Sequence, residues 1–599
     1  MLTCLDGQSN FSAIGRGRHI SERPLQDTGL STARSMINDC VSTHTRCRQA
    51  KPSSLPKRVL DVRVGTDSKS VVLKESQWDD DEQEYEHGDY VALSHVWGMG
   101  ERLKTTEENL KFHLKGIAWS TLSNTVQEAV LFTRAINIRY LWVDSLCLIQ
   151  DDEQAKLEES VRMDEVFGNA YLTIAATSTT DSSTQPLFPN KSQAFKIQAT
   201  DKKGQLSKIY VREQPSHYSF RGPFDEGSHM NEWELPFNMS EDATLHTPLL
   251  KRAWAYTERL LSPRVLHFTT SEMILECREG YNCECGRIDD KFFDSRATDS
   301  IKQEFSRIIH EASTRLPADS NGNQADRRMD SVTNQIAGTN NASDLMPKRE
   351  DALQLWSYII TEFTARNMTY DERLTAIASI ARALSPAMRS GYIAGQWTFS
   401  TLGLLWYPTD STKCRRPIPM DGQNIPTWSW ASCEGSTIFC DNATAMDLAC
   451  HVSFGFKGKR ASAWSPTQGE PLCLSAAMAA KVTLRVSEQE TYTLVKNRIA
   501  VDFTPDIVPA RGEDKLEDGE RLVCVLISMT YRSSITGLVL KAAGDNMYRR
   551  VGRFECYDCR PEGEDEMSED AETLFGYWFP EIQDMTELDS SVQRHFIVV

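Results

Sequence analysis

The stretch at 140–177 constrains the fold of this chain more than any other part of its sequence. It begins with Tyr-Leu-Trp-Val, a short apolar run whose composition favours a buried strand. A polar turn follows, and then a segment with apolar residues near helical spacing, opened by acidic residues that suit a helix amino terminus. Near the end of the stretch, the run from Tyr171 to Ala176 again has strand composition. A strand, a helix and a strand joined by short links predict a parallel sheet.

A second buried strand is predicted in the run YVALSHVWG, which begins at Tyr90 and ends in a polar and aromatic cluster and a glycine. Between the two strands, Thr125 and Glu128 have the spacing of a capping box, and the apolar residues after them lie along one helical face. The order strand, helix, strand, helix, strand indicates an α/β domain.

Polar and aromatic residues follow both predicted strands at their carboxyl ends. Open α/β sheets bind their ligands at this edge. We therefore expect a binding site built from Ser94, His95, Trp97 and Asp144.

Length and charge exclude several classes of protein. A chain of 599 residues is too long for one hydrophobic core, so several domains are expected. The net charge of -18 argues against a nucleic-acid partner, because phosphate binding relies on clustered Lys and Arg. The sequence has no apolar run long enough to span a bilayer and no secretory signal, so we expect a cytoplasmic protein. Its 15 cysteines are then better interpreted as thiols or metal ligands than as disulfides.

Three candidate metal ligands lie close together near the amino terminus. Cys40, His44 and Cys47 fall within one or two helical turns, and Cys283 and Cys285 are the obvious source of a fourth ligand. This spacing is compatible with zinc. The alternative is that His44 lies on the surface and the cysteines are small core residues.

Four ordered blocks of the sequence resemble the fungal heterokaryon incompatibility (HET) domain. They read YVALSHVWG from Tyr90, YLWVDSLCLIQDD from Tyr140, EESVRMDEVFGNAYLTIAAT, and RAWAYTERLLSPR from Arg252. The chain departs from the family pattern at His95, where Tyr is common, at Lys156, where Trp is common, and at Thr257-Glu258, where the family usually has Gln-Glu.

The resemblance implies a fold related to the Toll/interleukin-1 receptor (TIR) domain and a role in non-self recognition and regulated cell death. Some proteins of that wider group cleave NAD, so the resemblance implies NAD as substrate and Glu159 as the catalytic residue. Trp97 would stack on a flat ring, and Ser94 and Asp144 would bind ribose. The competing hypothesis is a non-catalytic module that binds a protein partner or a second copy of itself.

Two other interpretations of the same residues remain open. In the first, Cys147 is a nucleophile and His95 is the base that activates it. In the second, Ser145, His95 and Asp144 form a hydrolytic triad. Against it, Asp144 and Ser145 are adjacent, and adjacent residues on a strand point to opposite faces. For Glu159, the competing interpretation is an acidic helix face exposed to solvent.

The predicted organisation has seven segments. The fold class is α/β, with a parallel-sheet, TIR-like HET domain followed by a helical segment and a mostly β carboxyl-terminal region. The segments are a disordered amino terminus 1–35, an extension 36–89, the HET domain 90–260, a flanking segment 261–315, a flexible insertion 316–350, a helical and mixed region 351–470, and a mostly β region 471–599.

Overall fold

The structure is a computed structural model in which the chain forms two compact units. They comprise Met1–Arg328 with Arg382–Leu384, and Met329–Ala381 with Ser385–Val599. The structure describes residues 2–4, 15–16, 18–48, 53–63, 71–79, 84–98, 103–189, 191, 195–200, 204, 206–211, 247–286, 301–314, 349–417, 425–439, 448–449, 452–456, 471–476, 479–487, 489, 491–496, 499–508, 514–529, 535–544, 547–556, 578 and 594–599. The predicted insertion at 316–350 lies outside the described residues up to 348.

The first unit combines eight α-helices and fourteen strands among its described residues. Its helices are α1 Asp27–Thr43, α2 Leu110–His113, α3 Asn124–Ala135, α4 Asp144–Cys147, α5 Glu153–Val161, α6 Met163–Gly168, α7 Ala253–Leu261 and α8 Ile301–Thr314. Its strands are β1 Leu2–Cys4, β2 Gly15–Arg16, β3 Arg58–Asp61, β4 Val72–Glu75, β5 Trp78–Asp79, β6 Glu84–Tyr85, β7 Tyr90–Ser94, β8 Tyr140–Trp142, β9 Leu172–Ala175, β10 Phe195–Thr200, β11 Leu206–Val211, β12 Arg264–Phe268, β13 Met273–Cys277 and β14 Gly280–Cys283.

An eight-stranded sheet forms the centre of this unit, in the order β14-β13-β12-β9-β7-β8-β3-β4. The four middle strands, β12, β9, β7 and β8, are parallel, and antiparallel strands extend the sheet on both sides. Every residue of β7 is buried, which explains its unbroken apolar sequence. The predicted α/β class is confirmed. The predicted parallel strands form the middle of a mixed sheet, whose outer strands are antiparallel.

Two local predictions need correction. The amino cap of α3 is Ser123, whose hydroxyl accepts the Val126 N–H, whereas Thr125 lies inside the helix and Glu128 accepts the Phe188 N–H. The region predicted as disordered, 1–35, contains the start of α1. That helix buries an apolar face of Ala33, Met36, Ile37 and Cys40, which stabilises helical structure.

Among its described residues, the second unit contains two α-helices followed by strands, in agreement with the predicted helical segment and mostly β region. The helices are α9 Arg349–Thr364 and α10 Arg373–Met388. The strands are β15 Tyr392–Ile393, β16 Gln396–Trp397, β17 Tyr407–Pro408, β18 Ile438–Phe439, β19 Leu448–Ala449, β20 Val452–Phe456, β21 Leu472–Ala476, β22 Ala479–Val486, β23 Tyr492–Lys496, β24 Ile499–Pro505, β25 Arg521–Met529, β26 Ile535–Gly544, β27 Met547–Cys556 and β28 Arg594–Val598.

Six antiparallel strands of the second unit, β22 to β27, close into a ring. The pairing runs from β25 through β22, β23, β24, β27 and β26 back to β25. Alternate side chains such as Val482, Leu484 and Leu522 are buried in one cluster. Within the described part of the chain, each helix is too short or too polar to cross a membrane.

Candidate functional site

The candidate site lies where β7 and β8 end side by side. The two strands are parallel neighbours, with Val91 paired to Leu141 and Ala92 to Trp142. Ser94 is the last residue of β7, and Asp144 opens α4 two residues after β8 ends. The sheet therefore brings the predicted residues Ser94, His95, Trp97 and Asp144 to one edge.

Asp144 is the residue that joins this group. Its Oδ2 accepts a hydrogen bond from the Trp97 indole N–H, and its Oδ1 lies 3.9 Å from His95 Nδ1. Oδ1 also accepts the Ser145 backbone N–H at 2.7 Å. The Gln150 side chain donates to the Asp144 carbonyl at 3.0 Å. The carboxylate is a quarter exposed, so it keeps contact with solvent.

Helix α7 adds a second carboxyl group, Glu258. The Ser94 hydroxyl donates to Glu258 Oε2. At the start of the same helix, Arg252 Nη1 donates to the His95 carbonyl at 3.1 Å. Burial raises the pKa of Glu258 to about 7, the Ser94 hydrogen bond and the Arg252 charge oppose this shift, and the Asp144 charge adds to it. Glu258 therefore changes protonation near neutral pH.

A cleft opens beside these residues. Its lining combines the aromatic and polar side chains of the edge with apolar side chains, including His95, Trp97, Leu122, Val126, Leu146 and Ser182. Gly98 permits the loop of Asp181 and Ser183 to close one side, because a β-carbon at 98 would lie 1.8 Å from Asp181 Oδ1. His95 and Trp97 are the predicted site residues that line this cleft, whereas Ser94, Asp144, Glu159 and Glu258 are not among the described residues that line it.

Glu159, on α5, is held by basic residues of another part of the sheet. Arg58 Nη2 donates to Glu159 Oε1 at 2.7 Å, and Lys57 Nζ lies 3.8 Å from the same oxygen. Arg58 is buried, and its Nε also donates to the Cys147 carbonyl at 2.8 Å. Glu159 is thus linked to the Asp144 helix through Arg58, and its carboxylate is one-fifth exposed.

Cys147 is unsuited to the role of a nucleophile. The side chain is buried, with Sγ accepting the Val143 backbone N–H at 3.4 Å. Burial raises the pKa of its thiol to about 12. Because the thiolate is the reactive form, this thiol is chemically inert. Ser145 is also buried, and only its backbone N–H is bound to Asp144.

The predicted metal ligands fall into two groups. Cys40, His44 and Cys47 do converge, and the soft ligand beside them is Cys277. Cys283 and Cys285 lie instead with Glu272. The expected fourth donor is therefore corrected, since β13 ends at Cys277 next to α1, whereas Cys283 ends the edge strand β14.

Three residues of these sites were missed by sequence reasoning. Glu258 and Arg252 belong to the RAWAYTERLLSPR block, and the single acid in that apolar helix is the signal that could have singled out Glu258. Cys277 has no sequence signal, because its sulfur partners precede it by more than two hundred residues.

Sequence comparison identifies the region that carries the site. Residues 90–258 match the family model described as heterokaryon incompatibility protein (HET), which confirms the resemblance found in the sequence. Neither a curated protein nor a solved structure matches the chain. The match begins at the first residue of β7 and ends at Glu258, so it contains all the residues of the sheet-edge site. The region 90–258 of this chain is therefore a HET domain.

Proposed function

We propose that this protein is a cytoplasmic effector of fungal heterokaryon incompatibility, which triggers regulated cell death on non-self recognition by cleaving NAD. The match to the HET family supports the biological role. A single observation carries the chemical role. Two hydrogen bonds, from Trp97 to Asp144 and from Ser94 to Glu258, bring an aromatic ring, two carboxyl groups and a hydroxyl to the same edge of the sheet.

The residue types at this edge fit the chemistry of NAD cleavage. Nicotinamide is bound to ribose through a positively charged ring nitrogen, so the leaving group needs no proton. The glycosidic bond breaks with its electron pair moving to the ring, and water adds to the sugar carbon and loses one proton. The transition state resembles an oxocarbenium ion, which a nearby carboxylate stabilises.

The two carboxyl groups at the edge would divide this work. Asp144 carries the negative charge that stabilises the sugar cation, and the Trp97 N–H fixes its orientation. Glu258, whose pKa lies at about 7, accepts the proton of the attacking water. The indole face of Trp97 offers a stacking surface for a flat ring. In this proposal Ser94 and His95 bind the ribose hydroxyls.

Glu159 is the catalytic residue that the TIR-like resemblance implies, and this assignment remains a second proposal for the same reaction. Its pairing with Arg58 and Lys57 keeps a compensating positive charge beside the carboxylate. That charge weakens its attraction for a sugar cation. We therefore favour Glu258 and Asp144 as the catalytic residues. The two assignments can be distinguished, because each predicts that a different substitution abolishes the reaction.

Expression of the full chain in a fungal host tests the proposal. Cells that make the natural chain should lose NAD and stop growing, whereas Asp144→Asn and Glu258→Gln should preserve both NAD and growth. Glu158→Gln, a neighbouring exposed acid, serves as the matched control and should behave as the natural chain. Growth arrest without loss of NAD would contradict the proposal. Preservation of NAD by Glu159→Gln alone would transfer the catalytic role to Glu159.

One observation favours the non-catalytic alternative, in which the domain binds a second copy of the chain. Phe195 and Ile197 are 76% and 48% exposed and lie on the same face of β10. Among the described strands, β10 is the end strand of its sheet, so its outer backbone groups can pair with another strand. Two copies of β10 would pair symmetrically.

Light scattering on the purified full chain tests this alternative. A dimer that Phe195→Asp dissociates, together with toxicity that survives Glu258→Gln and Glu159→Gln, would support it. A monomer at every accessible concentration would contradict it.

A further inference from the structure

Three thiols and one imidazole converge where the end of α1 meets the end of β13. They belong to Cys40, His44, Cys47 and Cys277, and their ligand atoms all lie within 4.8 Å of one another. The three cysteines are buried, at 2%, 0% and 3% exposure, and His44 is partly exposed. His44 Nδ1 lies 3.2 Å from Cys277 Sγ.

We propose that these four residues bind one structural zinc ion. Zinc prefers four thiolate and imidazole ligands in a tetrahedron. Its bond lengths place neighbouring ligand atoms roughly 3.5–3.8 Å apart. The side chains therefore need to move only slightly to take up this geometry. Because the protein supplies all four ligands, no position remains open for water or substrate, so the site is structural and not catalytic.

The segment that carries His44 and Cys47 is held by contacts outside the cluster. Arg264 donates to the Cys47 carbonyl, and the Arg46 backbone N–H donates to Glu279 Oε1 at 2.5 Å. Arg278 Nη1 donates to the Arg46 carbonyl at 3.4 Å. These hydrogen bonds fix the short loop after α1 against the start of β12 and the turn that follows β13. The ligands are thus positioned before the ion binds, which favours tight binding.

The surrounding charge also matches the complex. Three thiolates around a divalent ion leave one net negative charge. The buried Arg264 lies close enough to interact electrostatically with Cys40 and Cys47, and Arg278 interacts with Cys47 and Cys277. Positive groups at this range stabilise an anionic zinc complex in a buried environment.

A second group of possible ligands in the same unit offers three ligand atoms, one fewer than zinc needs for a tetrahedral site. Glu272, Cys283 and Cys285 provide three ligand atoms, and the two sulfurs lie 3.3 Å apart. The Glu272 carboxylate already accepts the Cys285 backbone N–H at 2.7 Å. Cys283 is therefore a matched control for Cys277, since both are buried thiols on neighbouring strands.

Zinc at this position would join two distant parts of the chain. His44 and Cys277 are 233 residues apart in sequence, so the ion attaches α1 to the outer part of the central sheet. A ligand that binds only the folded state adds its binding free energy to stability. Removal of the ion should therefore loosen α1 from β13 without changing the residues at the sheet edge.

Metal analysis of the full chain, purified with reduced thiols from zinc-supplemented cells, tests the proposal. The natural chain and Cys283→Ser should each carry about one zinc per chain, and Cys277→Ser should carry less than about a tenth. Cobalt offered to the metal-free natural chain should give the strong visible absorption of a tetrahedral thiolate complex. This second measurement needs no variant to fold.

Three results would overturn the proposal. The first is a natural chain without stoichiometric metal that also gives no cobalt absorption. The second is loss of zinc from Cys283→Ser together with its retention in Cys277→Ser. The third is a disulfide that involves Cys40, Cys47 or Cys277 in the freshly isolated protein, found by mass spectrometry of alkylated peptides.

Discussion

The indole N–H of Trp97 donates a hydrogen bond to the carboxylate of Asp144, and this bond joins the segments that follow two neighbouring parallel strands. Each partner depends on its strand for position, because β7 leads to Trp97 and β8 leads to Asp144. The bond fixes the direction of the indole ring and holds one carboxylate oxygen. An aromatic surface and an acidic group are therefore set at a constant separation at the edge of the sheet.

Removal of the indole N–H should weaken this edge. Trp97→Phe keeps an aromatic ring but deprives Asp144 Oδ2 of its donor, and we expect a loss of about 1–2 kcal/mol in the free energy of unfolding. Urea denaturation measures this change. Trp78→Phe is the control, since Trp78 is 46% exposed and should cost less than about 0.5 kcal/mol. Equal effects of the two substitutions would show that the Trp97 hydrogen bond contributes nothing.

The raised pKa of Glu258 makes stability depend on pH. Burial raises this pKa from 4.5 to about 7, so between these values the folded chain holds a proton that the unfolded chain has released. The free energy of unfolding should therefore fall as pH rises from about 4.5 to about 7. Glu258→Gln cannot lose this proton, so its stability should fall less over the same range. Urea denaturation of both chains at several pH values compares them, and parallel curves would contradict the expected protonation of Glu258.

Glu159 should contribute measurably to stability, whatever its role in chemistry. Glu159→Gln leaves the buried guanidinium of Arg58 without its anionic partner, and we expect a loss of about 1–3 kcal/mol. Glu158→Gln should change stability by less than about 0.5 kcal/mol, because Glu158 is exposed. Within the described part of the chain, its side chain accepts one hydrogen bond, from the exposed Gln154. Thermal unfolding of both variants measures the difference. If Glu159→Gln proves as stable as the natural chain, the Arg58 pair is energetically neutral.

The second unit depends on a buried ion pair at Asp506. Its Oδ1 lies 3.1 Å from Arg550 Nη2 and its Oδ2 lies 2.8 Å from Arg416 Nη2, and Arg550 also stacks 3.5 Å from the Trp406 ring centroid. Asp506→Asn leaves the buried guanidinium of Arg550 without its counter-ion, whereas Arg416 keeps Asp514 at 2.7 Å, so we expect a loss of about 3–5 kcal/mol. Calorimetry of the full chain measures it. The control is Asp518→Asn, at an exposed pair, which should have little effect; similar effects of both would contradict this account.

The central strands of the HET domain could be predicted because their information is local. The apolar runs that begin at Tyr90 and Tyr140 form β7 and β8, and they carry Ser94, Trp97 and Asp144 to one edge as expected. Unbroken apolar sequence is typical of parallel strands that are covered on both faces. The sequence alone therefore predicts this part of the fold and four of the six residues at the sheet edge, the exceptions being Arg252 and Glu258.

The remainder depends on contacts between residues that are distant in sequence. Glu258 reaches Ser94 across 164 positions, and nothing near Glu258 in the sequence indicates that contact. The fourth soft ligand, Cys277, likewise becomes evident only when β13 packs against α1. The cap of α3 was predicted at the wrong residue for a different reason, since Ser123 and Thr125 can both cap a helix. In the folded chain Ser123 is the cap, whereas Thr125 donates to the carbonyl of residue 185 and Glu128 accepts the N–H of residue 188.

Release of nicotinamide from NAD by the purified full chain tests the central claim most directly. We predict that the natural chain and Glu158→Gln release nicotinamide at the same rate. Asp144→Asn and Glu258→Gln, shown to be folded by their cooperative thermal unfolding, should be slower by at least about a hundredfold. A natural chain that releases no nicotinamide, or undiminished release by both variants, would contradict the claim that this sheet edge cleaves NAD.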